Sequence, residues 1–102
     1  MTKCKRWEVW WAYVKYEDSN EIKKRPVLII GEEYGLVLSL KMTTHKPRNA
    51  TDYLLKHWKT AGLDRETTVR TDKFCKLRDS ELIRKVGRLT SYDMVQIQSM
   101  VA

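Results

Sequence analysis

From Glu8 to Tyr16 apolar side chains fall on both faces of a β-strand, with Val9, Trp11 and Tyr13 on one face and Trp10, Ala12, Val14 and Tyr16 on the other. We therefore expect this strand to be buried or half-buried on each side. The polar segment Glu17–Lys24 is long enough for a mobile hairpin loop. Pro26 then opens a second apolar run, VLIIG, because the first residue of a strand needs no hydrogen bond from its nitrogen. A third run follows the turn EEYG, from Leu36 to Met42. These segments predict an antiparallel meander, which a small barrel would close.

The hydrophobic period changes between Asn49 and Ala61, where three apolar residues lie at helical spacing. Asn49 or Thr51 can cap the first turn, and Gly62 stands where a glycine commonly ends a helix. This segment therefore predicts a short helix.

The remainder of the chain predicts two more strands and a second helix. Strand character returns from Thr67 to Asp72, and again from Leu82 to Thr90 after a turn at Asp79–Ser80. A helix opened by Thr90 or Ser91 runs to about Met100, with an apolar stripe on one face. The predicted order is β-β-β-α-β-β-α, a mainly β fold in which a small antiparallel barrel carries helical additions and ends in a C-terminal helix.

The length of 102 residues suits one compact domain, and we expect a single domain over residues 1–102. Twenty Lys and Arg against thirteen Asp and Glu give a formal charge of +7. This excess favours polyanionic ligands, with nucleic acid first among them. The same charge is also typical of a basic protein with a well-solvated surface.

Cys4 and Cys75 lie far apart with no CxxC pair and no nearby histidine pair, which argues against a zinc site or a disulfide. Reduced thiols favour a cytoplasmic protein. Glu8 interrupts the first apolar run, and no cleavage site follows, so a signal peptide is not indicated. No apolar stretch approaches the ~20 residues of a membrane span. No spacing indicates a metal ion, a dinucleotide or another cofactor.

Arg25 lies directly before Pro26 and a buried run, so its guanidinium can be aimed at a bidentate acceptor such as phosphate. The alternative is a strand-end ion pair with Asp18 or Glu21. Further basic and hydroxyl residues gather near the same strand ends, and these candidates for binding a polyanion are Lys24, Lys41, Thr43, Thr44, His45, Lys46 and Arg48. The alternative for this group is ordinary strand threonines followed by a solvated loop.

Arg70 and Asp72 are two positions apart, so on a strand both side chains would lie on one face. Such a pair can supply an acid and a base to a reaction. An ordinary ion pair on the strand surface is the alternative.

Several segments, taken in order, resemble the PemK/MazF family of bacterial type II toxins. They are W-x-V-W-W-A-Y, K-R-P-V-L-I-I, M-T-T-H, T-T-V-R-T-D and V-G-R-L-T, and together they cover Trp7 to Thr90. The most specific element is the Arg-Pro strand start followed by a strand-terminal threonine. Each motif is short, and the specificity lies in their order.

The resemblance implies an SH3-like antiparallel barrel that works as a homodimer. It also implies metal-independent, sequence-specific cleavage of single-stranded RNA, restrained by a cognate antitoxin that occupies the RNA site. On the matching positions, Arg25 and Thr43 would be catalytic, and Arg70 and Asp72 would act as acid and base. The 2′-OH of the RNA would attack the adjacent phosphorus and leave a 2′,3′-cyclic phosphate.

The chain differs from this pattern in three places. Trp7 stands where the family usually has a glycine, Ser19 and Asn20 replace a Gly-x-Glu or His-Glu arrangement, and the segment DYLLKHWKTAGLDRE is longer than in compact members. Two other functions fit the same residues. One is a catalytically weak relative that binds RNA or a protein with the same basic face, and the other is a CcdB-like gyrase poison on the same barrel.

Overall fold

Six antiparallel strands and one α-helix form the regular structure of this computed structural model, which describes residues 3–15 and 20–101. The strands are β1 (Glu8–Lys15), β2 (Ile22–Glu33), β3 (Leu36–Thr43), β4 (Asp52–Leu54), β5 (Thr68–Leu77) and β6 (Leu82–Arg88), and the helix is α1 (Ser91–Val101). A short 3₁₀ turn at Asp79–Glu81 joins β5 to β6. The predicted mainly β fold with a C-terminal helix is confirmed.

All six strands belong to one sheet with the order β4-β5-β3-β2-β1-β6, in which neighbouring strands are antiparallel. Strands β1, β2 and β3 form the predicted meander. Strands β4 and β6 are the two ends of the sheet, so strand pairing does not close it into a full barrel. The segment after β4 covers part of the opening, because its Ala61–Gly62 backbone packs against the backbone of Val86 and Gly87 in β6.

The turn between β2 and β3 is set by Tyr34 and Gly35, which separate the paired residues Glu33 and Leu36. Both turn residues have positive φ angles, 50° for Tyr34 and 78° for Gly35. Two consecutive positive φ angles are typical of the type I′ turn, whose twist matches that of antiparallel strands. The predicted EEYG turn is therefore confirmed.

Strand β2 begins earlier than the sequence predicted. Residues Ile22–Lys24 belong to β2 because they pair with the last residues of β1, up to the pair Lys15–Ile22. Pro26 therefore lies inside β2, opposite Trp11 of β1, and pairing with β3 begins only at Val27. A proline is compatible with this position because no β3 residue pairs with it. Tyr16 and the predicted loop residues 17–19 lie outside the described residues.

The predicted helix between Asn49 and Ala61 is wrong. Its first part is β4, which pairs with β5 through Asp52–Arg70 and Leu54–Thr68. The backbone N–H of Thr71 donates to the carbonyl of Thr51 at 3.0 Å, and this bond extends the contact between the two segments. Hydrogen bonds to the free edge of β5 stabilise an extended conformation here more than the local spacing of apolar residues stabilises a helix. Tertiary contacts commonly override local helix propensity in this way.

The second part of that segment is a helical turn that ends at the predicted glycine. The N–H of Leu63 donates to the carbonyl of Trp58 at 3.1 Å, and the N–H of Gly62 donates to the carbonyl of Lys59 at 3.0 Å. Gly62 has a φ of 95°. This pair of hydrogen bonds around a left-handed glycine is a Schellman motif. The C-terminal signal in the sequence was thus correct, although only one turn precedes it.

Apolar side chains are buried on both faces of the sheet, in two clusters. Val27 and Leu28 are adjacent in β2 and fully buried, yet they belong to different clusters because side chains alternate along a strand. Val9 and Trp10 divide in the same way in β1, as the sequence predicted. Further along β1, Tyr13 is 41% exposed, so this strand is half-buried at its end. Neither Cys4 nor Cys75 is part of a disulfide bond.

Helix α1 covers the cluster that contains Leu28. Its residue Ile97 is fully buried, and Met94 and Val101 pack against the same cluster, so the predicted apolar stripe is confirmed. Thr90 directly precedes the helix, and its carbonyl accepts a hydrogen bond from the N–H of Met94 at 3.0 Å. Within residues 3–15 and 20–101, no helix has the length and apolar character needed to cross a membrane.

Trp7 adopts a backbone conformation that usually belongs to glycine. Its φ is 73°, in the left-handed region where a bulky residue is strained by about 1–3 kcal/mol. Hydrogen bonds hold the backbone there: the N–H of Trp7 donates to Ile29 at 2.7 Å, and its carbonyl accepts from Leu89 at 3.0 Å. Its side chain is buried in the core, which offsets the strain. This is the position at which the resembled pattern usually has a glycine, the residue that adopts a positive φ without strain.

Gly87 gives a direct test of the contact that covers the opening of the sheet. A Cβ at this position would collide with the backbone carbonyl of Ala61, whereas a Cβ at Gly31 would meet nothing within 4 Å. We expect Gly87→Ala to lower the free energy of unfolding by about 2–3 kcal/mol. The control Gly31→Ala should stay within about 1 kcal/mol of wild type. Urea denaturation measures both values, and equal values for the two variants would contradict this packing.

Candidate functional site

A groove of about 640 Å³ lies where the first half of β2 passes the end of β3. Its lining combines basic and polar side chains, called here the basic wall, with apolar side chains, called here the apolar wall. The lining residues are Trp11, Arg25, Pro26, Lys41, Met42, Thr43, Thr44, His45, Arg48, Leu63, Asp64, Arg65, Thr67 and Arg70. Five of them are Lys or Arg and one is a carboxylate, so the groove attracts anions.

The register of β2 and β3 brings Arg25 and Thr43 to the same end of the groove. Val27 pairs with Lys41, and the same register continued by two residues places Arg25 level with Thr43. Arg25 is exposed, and its guanidinium donates one hydrogen bond to its neighbour's carbonyl, that of Lys24, at 3.0 Å. The planar guanidinium, with five N–H groups in fixed directions, suits a multivalent acceptor such as phosphate.

The hydroxyl of Thr43 is oriented by the chain that follows it. Its Oγ1 accepts a hydrogen bond from the backbone N–H of His45 at 3.2 Å. A hydroxyl has one proton to donate and two lone pairs to accept with. Because the backbone bond uses only a lone pair, the Thr43 proton stays available for an anionic oxygen in the groove.

Arg70 pairs with a carboxylate other than the predicted one. Its Nε lies 3.7 Å from Oδ1 of Asp52, which is its partner across β4 and β5. Asp72 is exposed and does not line the groove. The reason is an irregularity in β5, where Lys41 pairs with Arg70 while Leu40 pairs with Phe74. Residues 71–73 consequently have no partner on β3, and the predicted Arg70–Asp72 pairing is replaced by Arg70–Asp52.

The other predicted binding residues divide into three groups. Lys41, Thr44, His45 and Arg48 line the groove beside Arg25 and Thr43. Lys46 lines a small side cavity that adjoins the groove. Lys24 lines neither space, although it lies next to Arg25 in β2. Most of the predicted cluster is therefore brought together, with Lys24 and Asp72 outside it.

Sequence reasoning missed the apolar wall and the far side of the groove. Trp11, Pro26 and Leu63 belong to the apolar wall, and Arg65 and Thr67 come from the segment between β4 and β5. The alternation in β1 could have identified Trp11, since it lies on the opposite face from the buried Trp10. Nothing local signals Leu63 to Thr67, because their place depends on where the preceding turn packs.

A buried carboxylate in α1 holds the segment that forms this far side. Asp93 is fully buried and accepts three hydrogen bonds, from the Tyr53 hydroxyl at 2.6 Å and from the backbone N–H groups of Lys56 at 3.0 Å and His57 at 2.9 Å. Its position in the first turn of a helix also favours a negative charge. Burial, together with the neighbouring Asp93 carboxylate, raises the pKa of Tyr53 well above its usual range. Asp93 thus fixes the start of the segment that ends at Thr67.

Histidine, cysteine and acidic side chains do not cluster at the groove. In the part of the chain that the structure describes, no group of three or more of them is arranged to hold a metal ion. The imidazole and the carboxyl group that line the groove belong to His45 and Asp64, and both are side-chain types that can transfer protons in catalysis.

The fold and the groove together define a small antiparallel sheet protein with a C-terminal helix and a basic groove. The sequence profile of the PemK-like, MazF-like toxins of type II toxin-antitoxin systems matches residues 5–102. The chain therefore belongs to this toxin family. No curated protein matches the chain.

Solved structures with this fold include three mycobacterial proteins. An endoribonuclease from a mycobacterial species matches with a TM-score of 0.76 and 19% identity, over 100% of this chain and 90% of that chain. The Mycobacterium tuberculosis toxin MazF-mt6 matches with a TM-score of 0.74 and 22% identity, over 92% of this chain and 91% of that chain. A mycobacterial endoribonuclease in complex with its cognate antitoxin matches with a TM-score of 0.73 and 20% identity, over 95% and 89% of the two chains. These likenesses establish the fold.

The hydrogen bond between Tyr53 and Asp93 can be tested through its pH dependence. Tyr53→Phe removes the donor and keeps the ring, so we expect the free energy of unfolding to fall by about 1.5–3 kcal/mol at pH 8. Because the folded-state pKa is raised above 10.0, this contribution is present below pH 10 and is lost as the pH rises through the folded-state value. The difference between wild type and variant should be smaller at pH 11 than at pH 8 in urea denaturation.

The control is Tyr13→Phe, at a partly exposed tyrosine, which should stay within about 0.5 kcal/mol of wild type. A Tyr53→Phe protein as stable as wild type at pH 8 would show that the bond does not hold this segment.

Proposed function

We propose that this protein is an endoribonuclease toxin that cleaves single-stranded RNA in the groove between β2, β3 and the segment before β5. The main support for this proposal is that Arg25, Thr43 and Arg70 all line this groove. Membership of the toxin family supports it, and so do structural neighbours that are named endoribonucleases.

The two walls of the groove favour an unpaired strand as the substrate. Phosphates would face the basic wall, and the faces of unpaired bases would lie against Trp11, Pro26 and Leu63. Base stacking on an aromatic side chain stabilises bound single strands by about 1–3 kcal/mol per base. A duplex hides its base faces, so this wall would have nothing to contact.

The proposed reaction is an internal phosphoryl transfer. The 2′-oxygen of one nucleotide forms a bond to the adjacent phosphorus while the bond from phosphorus to the 5′-oxygen breaks, which leaves a 2′,3′-cyclic phosphate and a 5′-hydroxyl. Arg25 and Thr43 stabilise the negative charge that develops on the phosphoryl oxygens. One group takes the 2′-OH proton and another supplies a proton to the 5′-oxygen. His45 and Asp64 are our candidates for these transfers in place of Asp72, and no metal ion is required.

The proposed partners follow from the family and from the neighbouring structures. We propose a cognate antitoxin that competes with RNA for the groove, since one neighbour is a complex of an endoribonuclease with its antitoxin. We also propose a homodimer, which exposed apolar side chains such as Ile22, Phe74 and Val95 support. We further propose that the protein cleaves RNA at a preferred sequence and that it is located in the cytoplasm.

Cleavage by the two central residues can be tested with a mixed single-stranded RNA in the presence of EDTA. Wild type should cut it and leave 2′,3′-cyclic phosphate ends, while Arg25→Ala and Thr43→Ala should each be slower by at least about 100-fold. Lys59→Ala, at an exposed lysine outside the groove, is the matched control and should cut at the wild-type rate. RNA that wild type binds but leaves intact would favour a silent binding protein. Gyrase-dependent DNA cleavage would favour a gyrase poison.

Binding through phosphate contacts predicts a marked dependence on salt. Three or four neutralised phosphates on a single strand give a slope of about −2 to −3 for the logarithm of the association constant against the logarithm of salt concentration. A DNA oligonucleotide, which has no 2′-OH, should bind without being cut and is the probe for this measurement. Arg65→Ala should make the slope shallower, and Lys59→Ala should not. A slope near zero for wild type would contradict phosphate binding in the groove.

A further inference from the structure

Asp52 is a buried carboxylate beneath the basic wall, and the proposed chemistry does not use it. Its side chain is only 2% exposed. One oxygen, Oδ2, accepts a hydrogen bond from the backbone N–H of Arg48 at 3.1 Å. The other oxygen, Oδ1, has no hydrogen-bond partner among the described residues and lies 3.7 Å from Nε of Arg70. The cation beside this oxygen, Arg70, is therefore a residue of the groove.

Arg70 lies between Asp52 and the groove. It pairs with Asp52 on β4 and with Lys41 on β3, so its backbone position is fixed by two strands. Its side chain is 33% exposed, and it lines both the groove and the side cavity of about 30 Å³. Asp52 lines the side cavity and not the groove. The carboxylate is thus placed to act on a substrate through the guanidinium and not by direct contact.

The energetics favour a strong effect of Asp52 on Arg70. A carboxylate removed from water is costly unless a positive charge compensates it, and removing either partner of such a pair leaves the other uncompensated. Screening by salt is weak for a charge that solvent does not reach. The Nε side of the guanidinium faces Asp52, which leaves the two terminal nitrogens for another anion. Arginine can bind two acceptors in this way because its five N–H groups point in fixed directions.

We propose that Asp52 is a positioning residue that holds the guanidinium of Arg70 toward the groove, where Arg70 binds a phosphate of the substrate. The identity of that phosphate as RNA rests on the proposed function. The sequence-based hypothesis paired Arg70 with Asp72, and this proposal transfers the acidic partner to Asp52. Asp52 itself does not contact the substrate.

A double-mutant cycle tests this assignment. Asp52→Asn keeps the size of the side chain and an acceptor for the N–H of Arg48, but it removes the charge that faces Arg70. We expect Asp52→Asn to lower kcat about tenfold and Arg70→Gln to lower it at least as much. The double variant should match Arg70→Gln within about twofold, because Asp52 has no effect once the guanidinium is absent. Glu66→Gln, at an exposed carboxylate outside the groove, is the matched control and should behave as wild type.

A purely structural role for Asp52 predicts a different result. The two single effects would then multiply in the double variant, and the loss from Asp52→Asn would follow the fraction of unfolded protein in thermal denaturation. Multiplying effects, or wild-type kcat in Asp52→Asn, would overturn the proposal.

Failure of the proposed function would be seen separately, as wild-type protein that leaves RNA intact. In that case the same four proteins are titrated with a single-stranded DNA oligonucleotide, and anisotropy gives the affinity. Positioning of Arg70 by Asp52 predicts that both single variants bind several-fold more weakly and that the double variant is no weaker than Arg70→Gln. If the losses of affinity in the two single variants instead multiply in the double variant, the positioning role of Asp52 is contradicted, whether or not the protein cleaves RNA.

Discussion

The antiparallel register of β2 and β3 is the constraint on which the rest of the site depends. Pairing of Val27 with Lys41 fixes both strands in the core, through Val27, Leu28 and Leu40, which are fully buried. The same register sends Arg25 and Thr43 out of the core at one end of the sheet. A shift of one residue would move every side chain of a strand to the opposite face, so the core enforces the position of the groove.

The second wall depends on a contact that is distant in sequence. Asp93 in the first turn of α1 binds Tyr53 and two backbone N–H groups after it, and the following turn packs against β6 at Gly87. Leu63 and Arg65 of this segment line the groove. The C-terminal helix therefore shapes the groove without lining it, and a weakened Asp93 network would alter the position of groove residues far from the helix.

Local patterns predicted the parts of the fold that local forces determine. The strands β1, β2 and β3, the turn at Tyr34–Gly35 and the helix α1 all follow from alternation, turn residues and helical spacing. The segment after Asn49 did not, because the free edge of β5 and the surface of β6 determine its conformation. Gly62 was still recognised as a left-handed glycine, since that requirement is local.

In the candidate site, too, some residues could be predicted from local sequence motifs, and others depend on contacts between distant segments. Arg25 and Thr43 were identified because their motifs occur in a fixed order along the chain. Asp52 could not be identified, because its burial and its pairing with Arg70 appear only when β4 and β5 are placed side by side. The irregularity in β5 that separates Asp72 from the groove also has no signal in the sequence.

The central claim is that this groove, and no other surface, binds single-stranded RNA. The most direct measurement is an NMR titration of isotope-labelled protein with an RNA oligonucleotide made uncleavable by 2′-O-methyl groups. We predict that the largest shifts fall on the groove, at the amides of Thr43 and Arg70, the guanidinium Nε–H of Arg25 and the indole N–H of Trp11. Shifts centred on the outer face of α1, around Tyr92 and Val95, with the groove unchanged, would contradict the account.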